Sequence, residues 1–417
     1  MNTPTRMHGT EAVLSVNTGS SSLKFAVYPL VPEHEGEVGT PGLSGQAEGL
    51  EPGGQPLITV QRLGGEKTRV ALQPREGESS FEAALQAVIS TLQTEGGIRL
   101  RAVAHRIVHG GSRFSDSVLI DDEVLAYLDS LSPLAPLHQP HNLAGVRAFR
   151  RARPDLPQVA CFDTAFHATA PEVETRFALP ERFWQEGVRR YGFHGLSYRY
   201  VSERLTAATP RARGRLLLAH LGNGASLCAV RKGHSIATSM GFSALDGLMM
   251  GTRCGSLDAG VLLHLMRQGW TADAIEKLLY KQSGLLGVSG LSADMRSLRA
   301  STDPRAAQAI AQFSYRVRRE AGAMVACLGG VDLIGFTGGI GEHDAALRSS
   351  LCESLAYLGV RIDEVANQAA DGSGIAAIHE PGSAVEIWVV PTDEGRVAAR
   401  DALALTASAD AGQCVAA

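Results

Sequence analysis

The chain has 417 residues, and its 43 acidic side chains exceed its 39 Lys and Arg side chains, giving a formal net charge of -4. Hydrophobic residues make up 44% and charged residues 20% of the sequence, which is typical of a folded globular protein and excludes wholesale disorder. The small negative charge and the aromatic content of 6% disfavour a nucleic-acid-binding protein, which needs basic surface and stacking side chains. The length predicts two or three domains.

Membrane association and secretion are disfavoured by the arrangement of apolar residues. The longest apolar stretch, from Ala323 to Phe336, is interrupted by glycines and by Asp332 and is too short to cross a bilayer. The N-terminal segment has no apolar core, so we expect no secretory signal. The six cysteines lie singly and form no Cys-x-x-Cys pair, which predicts reduced thiols in a cytoplasmic protein.

The first part of the chain alternates between strand and helix patterns. Residues Val13–Tyr28 form two apolar runs around a small polar turn, the pattern of a β-hairpin. The segment Pro29–Arg75 is rich in Gly, Pro and Glu, which predicts irregular structure or an elaborated sheet edge. Apolar residues at helical spacing predict an amphipathic helix over Phe81–Leu92, and strands are predicted at Val103–Val108 and Pro157–Phe162.

A second hairpin pattern lies between Leu216 and Val230 and repeats the layout of the first. Moving the first hairpin along by 204 positions places Ser22-Leu23 on Ser226-Leu227. The shared order of apolar run, small polar turn and apolar run favours two related lobes. We expect the two turns to face each other across a cleft, where ligands commonly bind.

The rest of the chain continues the alternation. A strand-turn-helix pattern covers Val331–Gly341 and is followed by a predicted helix over Ala345–Leu358. A last strand is predicted at Ile387–Val390, and a closing helix at Ala398–Leu405. Because strands and helices interleave throughout, the predicted fold class is α/β.

Three turns of small residues follow strand patterns, at Thr18–Ser22, Gly222–Ser226 and Gly338–Gly341. Small side chains allow backbone N–H groups to approach an anion closely, and serine hydroxyls add donors. One such turn alone is more often an ordinary hairpin turn, but three in one chain favour a cleft that binds a polyphosphate. The chain has no Gly-x-x-x-x-Gly-Lys-[Ser/Thr] segment, which excludes a P-loop protein.

Charged side chains near these turns are the candidates for chemistry. Lys24 lies two residues beyond the first turn, where a lysine either binds phosphate or stays solvated. Arg106 ends a strand and Arg253 lies between glycines, positions suited to binding an oxyanion or to a surface ion pair. Asp163 follows a strand, as catalytic carboxylates and turn caps both do. The thirteen histidines include no His-Glu-x-x-His motif, which disfavours a zinc site.

Several segments, in chain order, resemble the sequence motifs of the acetate kinase family. They are Asn17-x-Gly-Ser-Ser-Ser-Leu-Lys24, His105-Arg-x-Val-His-Gly-Gly111, Ala135-Pro-Leu-His138, Phe162-Asp-Thr-Ala-Phe-His167, Arg190-Tyr-Gly-Phe-His-Gly195, His220-Leu-Gly-Asn-Gly224, Gly247-Leu-Met-Met-Gly-Thr-Arg253, Ser283-Gly-Leu-Leu-Gly-Val-Ser-Gly290, Gly339-Ile-Gly-Glu342 and Pro391-Thr-x-Glu394. The resemblance runs from Val13 to about Leu405 and leaves the segment Pro29–Arg75 without a family signature.

The resemblance implies an actin-like, sugar-kinase-like α/β fold with two duplicated, ribonuclease H-like lobes around a nucleotide cleft. The N-terminal lobe is expected at residues 1–165 plus 395–417, with the first hairpin, the substrate arginine and the closing helix. The C-terminal lobe is expected at 166–394, with the second hairpin, the adenosine site and the dimer contacts. The implied protein is a cytoplasmic homodimer that transfers phosphate reversibly from Mg-ATP to acetate, forming acetyl phosphate, without nucleic-acid or membrane partners.

The family's functional residues map onto this sequence motif by motif. The resemblance implies that Asn17 and Glu394 hold Mg²⁺, with Mn²⁺ as an alternative, that Asp163, His194 and Arg253 are catalytic, and that Arg106, Val108, Leu137 and Phe193 bind the acyl substrate. The implied contacts to ATP or ADP are Lys24, His220, Leu221, Gly222, Asn223, Gly224, Asp294, Met295, Arg296, Gly339, Ile340, Gly341, Glu342 and His343.

The chemistry of the implied reaction agrees with these residue types. A carboxylic acid with a pKa of about 4–5 is ionised at pH 7, so it needs no general base to become a nucleophile. It needs relief from repulsion as it approaches the anionic γ-phosphate, which two arginines, a histidine donor and a divalent ion provide. We therefore expect Asp163 to position a metal ion or an arginine rather than to remove a proton.

Two other functions remain open at this stage. Ala244 stands where the family usually has a proline, and the lost carbons could admit propionate, because a methylene discriminates by only ~1–3 kcal/mol. A propionate or other short-chain fatty acid kinase of the same family is therefore the first alternative. The second is an actin-like ATPase without an acyl substrate, which would share the phosphate-binding turns but would not need Arg106, His194 and Arg253.

Overall fold

The computed structural model describes residues 10–19, 21–31, 34, 36–51, 53–75, 78–94, 98–136 and 138–415. The chain divides into two compact units. One unit consists of Met1–Ala165 and Asp393–Ala417, and the other of Phe166–Thr392. Each unit is built around its own β-sheet.

The sheet of the first unit has the strand order β5-β4-β3-β2-β1-β6-β8-β7. Its strands are β1 Glu11–Thr18, β2 Ser22–Pro29, β3 Leu43–Glu48, β4 Leu57–Arg62, β5 Lys67–Ala71, β6 Arg99–Ile107, β7 Val118–Leu119 and β8 Gln158–Phe162. The strands from β5 to β1 pair antiparallel, whereas β6 is parallel to β1 and β8 is parallel to β6.

The sheet of the second unit has the order β11-β10-β9-β12-β14-β13. Its strands are β9 Arg215–Leu221, β10 Ala225–Arg231, β11 His234–Thr238, β12 Leu333–Thr337, β13 Ala376–Ala377 and β14 Glu386–Val389. Here β11, β10 and β9 pair antiparallel, and β12 and β14 follow in parallel. The order and directions repeat those of β3-β2-β1-β6-β8-β7, including an antiparallel edge strand, β7 or β13, at the same end.

Helices connect and cover the strands. They are α1 Ser80–Thr94, α2 Asp122–Ser130, α3 Gln139–Ala152, α4 Glu172–Thr175, α5 Glu181–Gln185, α6 Gly195–Ala208, α7 Ala259–Arg267, α8 Ala272–Lys281, α9 Gly284–Ser289, α10 Met295–Arg299, α11 Pro304–Leu328, α12 Gly338–His343, α13 Ala345–Ser354, α14 Glu364–Ala369 and α15 Glu394–Val415. Among the described residues, no helix is both long and apolar enough to cross a membrane.

Each sheet is buried by helices that come from its own unit. In the first unit, Val16 and Phe25 of the sheet pack in one core with Leu85 and Val88 of α1 and Phe149 of α3. The helix α15 packs against β1, β6 and β8. In the second unit, residues of α6 share a core with β9, β10 and β12. The central strands are therefore near-continuous apolar runs, as expected for strands covered on both faces.

Most elements agree with the sequence-based predictions. Both hairpins are confirmed as β1-β2 and β9-β10, the predicted strands as β6, β8, β12 and β14, and the amphipathic helix as α1. The segment 29–75 is an elaborated sheet edge, because β3, β4 and β5 extend the first sheet. The closing helix begins at Glu394 rather than at Ala398, and the helix predicted to reach Leu358 ends at Ser354 before a separate 3₁₀ turn.

Candidate active site

A row of polar side chains crosses three neighbouring strands of the first unit. Asn17 near the end of β1 is the direct partner of Lys24 on β2 and of Arg106 on β6. Side chains of directly paired residues lie on the same sheet face, about 4.8 Å apart from strand to strand. The structure therefore brings together three residues that the sequence assigned to different roles. Because β1, β6 and β8 run parallel, their carboxyl ends meet at this edge, where ligands bind in α/β sheets.

Arg106 is held by two carboxylates at this edge. Its Nε and Nη2 donate to the two oxygens of Asp163 at 2.8 and 2.6 Å, a bidentate pair. The same Nε lies 3.3 Å from Oε2 of Glu394. Asp163 follows β8 and is only 2% exposed, while its backbone N–H donates to the carbonyl of Ile107. The guanidinium is thus fixed in orientation by groups from β6, β8 and α15.

Burial and charge act against each other in this cluster. Burial raises the pKa of Asp163 most, Arg106 lowers it and Glu394 raises it again, with a net value of about 6. For Arg106, burial alone would lower the pKa, but Asp163 and Glu394 together raise it above its ordinary value. The pair is therefore charged at neutral pH, and one guanidinium between two carboxylates leaves one negative charge.

The start of α15 is shaped to bring Glu394 to Arg106. Asp393 accepts hydrogen bonds from the Tyr28 hydroxyl at 2.5 Å and from the Arg396 N–H at 3.1 Å, which caps the helix. A Cβ at Gly395 would lie 2.5 Å from the Tyr28 hydroxyl oxygen, so only glycine allows this close approach. The sequence did not single out Tyr28, because its partner lies 365 positions away.

Two residues predicted to line the acyl pocket belong to this unit. Val108 is half-buried just after β6, and its N–H donates to Asn142 Oδ1 at 3.0 Å. Asn142 also donates to the Thr18 carbonyl at 2.5 Å, which ties α3 to the end of β1 beside the first small-residue turn. Leu137 lies outside the described residues, and its role stays a prediction.

In the second unit, His194 and His220 form a stacked pair. Their ring centroids are 4.2 Å apart and their planes differ by 21°. His194 precedes α6 in a left-handed conformation, with φ of +60°, which is uncommon for a residue with a side chain. Its Nδ1 lies 2.8 Å from the Ser226 hydroxyl, and His220 Nδ1 lies 2.8 Å from the Ser197 hydroxyl. Phe193 beside it is 2% exposed.

Arg253 lies in a glycine-flanked turn that is attached to the second small-residue turn. The Gly251 N–H donates to the Asn223 carbonyl at 3.0 Å, and the Arg253 Nη1 donates to the Ala244 carbonyl at 3.0 Å. A Cβ at Gly224 would lie 3.3 Å from His194 Nε2. The structure therefore places the turn that carries Arg253 beside Asn223 and places His194 beside Gly224.

The third small-residue turn lies beside the second. Thr337 at its start is the direct strand partner of His220, and a Cβ at Gly222 would lie 3.9 Å from the Gly339 nitrogen. Glu342 turns its carboxylate back to its own helix start, where it accepts from the Gly338 N–H at 2.9 Å and from the Thr392 N–H at 3.3 Å. The second and third small-residue turns thus lie side by side at one edge of the second sheet.

The segment Asp294–Arg296 divides between surface and core. Asp294 caps α10 through the Ser297 N–H at 3.0 Å, Arg296 is exposed, and Met295 is buried. A Cβ at Gly251 would lie 3.2 Å from the carbonyl oxygen of Ala293, which places this segment next to the Arg253 turn. The nucleotide contacts predicted for Asp294, Met295 and Arg296 stay predictions.

Sequence analysis missed Arg348, which supports the third turn. It is 1% exposed and donates to neutral acceptors only among the described contacts: the carbonyls of Gly341, Glu342, Asn367 and Ala370, and Oδ1 of Asn367. Burial lowers the pKa of Arg348. Because α12 is only six residues long, these hydrogen bonds to its last carbonyls hold the turn in place.

Comparison with known proteins places the chain in a family. The family model described as the Acetokinase family matches residues 12–400. The chain belongs to the acetokinase family. It is 48% identical over 401 residues to the acetate kinase of Rhodopseudomonas palustris, covering 94% of this chain and 97% of that one. It is equally 48% identical to the acetate kinase of Methylocella silvestris, with the same coverage.

Solved structures of acetokinase relatives have the same fold. The acetate kinase of Porphyromonas gingivalis is 38% identical with a TM-score of 0.84, covering 95% of this chain and 99% of that chain. A propionate kinase from Francisella tularensis is 35% identical with a TM-score of 0.86, covering 95% of this chain and 100% of that chain. The chain therefore has the actin-like α/β fold and is a phosphotransferase with a carboxyl group as acceptor, which uses ATP or ADP and a divalent metal ion.

The residues at the edge of the first unit's sheet fit a divalent cation that takes most of its ligands from substrate phosphates and water. Asn17 and Glu394 supply hard oxygen donors, and the cluster with Arg106 and Asp163 carries a net negative charge. Among the described residues, no group of three or more acidic, His or Cys side chains could hold a metal ion by itself. This donor set suits Mg²⁺, which keeps several waters and takes one or two protein carboxylates together with substrate phosphates.

Proposed function

We propose that this protein transfers the γ-phosphoryl group of Mg-ATP reversibly to acetate, forming acetyl phosphate and ADP. The observation that carries the proposal is the cluster of Arg106, Asp163 and Glu394 at the carboxyl edge of β1, β6 and β8. A fixed guanidinium there can bind a small carboxylate beside a divalent cation. The relatives at 48% identity, which are acetate kinases, support acetate as the acceptor.

The proposed mechanism is electrostatic rather than acid–base. Acetate is ionised at neutral pH, so its oxygen can attack the γ-phosphorus without losing a proton. Arg106 would bind the acetate carboxylate, while Arg253 and His194 would stabilise the charge on the transferring phosphoryl group. In a loose in-line transition state the protein forms no covalent bond to the transferring group, so positioning and charge stabilisation supply most of the catalysis.

Asp163 fits the role of a positioning carboxylate. Both of its oxygens accept from Arg106, at 2.8 and 2.6 Å, so the carboxylate fixes the plane and reach of the guanidinium. A general base would need a proton to remove, and an ionised acetate offers none. In this proposal Asp163 sets the direction from which the substrate carboxylate can be bound.

Asn17 and Glu394 are the proposed ligands of Mg²⁺, with Mn²⁺ as an alternative. The ion would neutralise phosphate charge as the acetate oxygen approaches. Lys24 on β2, which is the direct strand partner of Asn17 on β1, would bind a phosphate of the nucleotide. The turns at Gly222–Gly224 and Gly339–Gly341 would offer backbone N–H groups to the remaining phosphates.

A specific observation keeps propionate as the second candidate substrate. The carbonyl of Ala244 accepts from Arg253, so the segment that carries Ala244 lies at a proposed catalytic side chain. A propionate kinase is among the structural relatives at 35% identity. If the alanine leaves room for one more methylene, propionate would be used at a kcat/KM within about tenfold of acetate.

A substrate panel tests both candidates and the ATPase alternative. Acyl phosphate and ADP are measured from Mg-ATP with acetate, propionate and butyrate, and ADP alone without an acid. We expect acyl phosphate in equal amount to ADP, with acetate giving the highest kcat/KM. Propionate above acetate would reassign the substrate, and ADP release that ignores every acid would favour an actin-like ATPase.

We also propose that the protein forms a homodimer through α7. This helix has no buried residue, yet it carries apolar side chains that are 40–59% exposed: Val261, Leu263 and Met266. Trp270 just beyond it is 41% exposed. Apolar groups concentrated on one surface helix are typical of an interface, and a second copy of the chain would cover them.

Sedimentation of two matched variants tests the dimer. Leu263→Asp puts a charge into the α7 surface and is expected to give monomers at concentrations where the native protein is dimeric. Val365→Asp alters an equally apolar residue that is 82% exposed on α14 and should leave the dimer intact. A native protein that sediments as a monomer would overturn the proposal.

The described cysteines are free thiols, which supports the cytoplasm as the proposed compartment.

A further inference from the structure

We propose that Tyr198 and Ser226 are positioning residues that hold His194 in one tautomer, with the proton on Nε2. Nε2 would then donate a hydrogen bond to the transferring phosphoryl group. The inference rests on the proposed role of His194 and adds how that role is enforced. A neutral imidazole has one donor and one acceptor nitrogen, so a histidine that must donate needs its other nitrogen to be given a hydrogen bond.

A chain of hydrogen bonds reaches His194 from the core of the second unit. The Ser226 hydroxyl lies 2.8 Å from His194 Nδ1, and the Tyr198 hydroxyl lies 2.5 Å from the Ser226 oxygen. Among the described residues, Ser226 is the hydrogen-bond partner of the Tyr198 hydroxyl. Tyr198 and Ser226 are both 0% exposed, so water does not compete for these groups.

The polarity of this chain follows from counting protons. Each hydroxyl has one proton to donate. Because Tyr198 is 0% exposed and Ser226 is the hydrogen-bond partner of its hydroxyl among the described residues, the phenol proton is satisfied only when it is directed to the Ser226 oxygen. The Ser226 proton is then directed to His194 Nδ1, which must be unprotonated to accept it. The proton of the neutral ring therefore resides on Nε2.

Burial keeps the first hydroxyl of the chain protonated. It raises the pKa of Tyr198 well above its ordinary value, so the phenol keeps its proton at neutral pH. Tyr198 also packs in the apolar core with Val201 and Leu205, which fixes the ring independently of its hydroxyl. The donor is thus supplied by a rigid element rather than by a mobile surface side chain.

The ring of His194 is fixed in the direction that this tautomer requires. Stacking on His220 at 4.2 Å sets its plane, and the Ser197 hydroxyl holds His220 in turn. A Cβ at Gly224 would lie 3.3 Å from Nε2, so this nitrogen faces the second small-residue turn. The nitrogen that carries the proton is the one next to the proposed phosphate-binding backbone.

The test combines Tyr198→Phe and Ser226→Ala with His194→Ala in double-variant cycles. Each single variant at the two hydroxyls should lower kcat about tenfold, the effect of one lost hydrogen bond, and leave the KM for acetate nearly unchanged. In the His194→Ala background the same changes should have almost no further effect on kcat, because the hydroxyls act only through His194. Thermal unfolding of each variant checks that the core remains folded.

The cycle separates failure of this inference from failure of the proposed function. A His194→Ala variant with native kcat would remove the catalytic role of His194, on which the inference rests. If His194→Ala lowers kcat and Tyr198→Phe lowers it tenfold further in that background, the inference is overturned while the proposed function stands. Nitrogen NMR of the His194 ring gives a second readout: we expect protonation on Nε2 in the native protein and a mixture of tautomers in Ser226→Ala, and Nδ1 protonation in the native protein would contradict the inference.

Discussion

The two units repeat one sheet order but present different chemistry at equivalent places. At the edge of the first sheet, Arg106 is positioned by two carboxylates, Asp163 and Glu394. At the second, His194 is positioned by neutral hydroxyls and Arg253 by a backbone carbonyl. A duplicated scaffold therefore sets where the functional groups lie, whereas the side chains at each edge decide whether charge or hydrogen-bond direction controls the site.

The difference has an energetic consequence. In the first unit, removal of one partner leaves a buried charge without its counter-ion, which is expensive in both stability and activity. In the second unit, removal of a neutral partner leaves no uncompensated charge, so stability should suffer less than catalysis. The variants below separate these two kinds of dependence, beginning with the largest expected effect.

Arg106→Ala should have the largest effect. It removes the proposed acetate-binding group and leaves Asp163 buried, so we expect kcat/KM to fall about 10³-fold or more and the free energy of unfolding to fall by about 3 kcal/mol. Acyl phosphate formation and urea denaturation measure the two losses. An Arg106→Ala protein with native stability would show that the charge pair does not support the fold.

Two variants serve as controls for this prediction. Arg215 makes a similar bidentate pair with Asp332, but the side chains are 38% and 30% exposed. Arg215→Ala should therefore lower the free energy of unfolding by less than about 1 kcal/mol.

Asp163→Asn keeps the shape of the carboxylate but not its charge and should lower kcat. Near-normal turnover in Asp163→Asn would contradict the positioning role of this residue.

Arg253→Ala should affect catalysis far more than stability. We expect kcat to fall about 10²- to 10³-fold with little change in the KM for acetate, because the group is proposed to act on charge that develops in the transition state. The midpoint of urea denaturation should stay close to that of the native protein. Arg305→Ala, which removes an arginine that is 57% exposed and has no proposed role in the site, is the matched control and should leave kcat unchanged. A pure KM effect at Arg253 would contradict the assignment.

The sequence was sufficient to predict elements whose signals are local. The hairpins β1-β2 and β9-β10 combine apolar runs with a turn of small residues, and both appear as predicted. The strands β3 to β5 were not separately predicted, because the Gly, Pro and Glu content of this segment masks them and β5 is exposed along its whole length. Strand pairing rather than composition gives this segment its structure.

Site residues could be predicted from the sequence where the residue type itself indicates a direct chemical role. They could not be predicted where a residue acts only by positioning its neighbour. Arg106 and Asp163 were chosen from strand ends, and the structure pairs them although 57 positions separate them. The hydrogen bonds of Tyr198 to Ser226 and of Arg348 to Asn367 join residues 28 and 19 positions apart. No local pattern links such partners, since only the packing of α6 on its sheet and of α13 on α14 brings them together.

Acidification should produce the smallest effect and should act more strongly on the first unit. Burial lowers the pKa of His105, His109 and His167 to about 4, from an ordinary value of 6.5. Between pH 6.5 and 4 the unfolded chain therefore binds more protons than the folded one, so stability is full above this range and falls as the pH falls through it. The three histidines together should lower the free energy of unfolding by roughly 2 kcal/mol when the pH falls from 7 to 6.

Hydrogen exchange at pH 7 and pH 6, corrected for the intrinsic rate, resolves the two units. Two of the three histidines, His105 and His109, belong to the first unit and His167 belongs to the second, so the first sheet should lose more protection than the second, by a factor of less than two. Asp163 opposes part of this trend within the same pH range, because its pKa of about 6 in the folded protein makes the folded state take up protons as the pH falls from 7 to 6. Equal loss in both sheets would mean that the buried histidines of the first unit are not the groups that respond to acid.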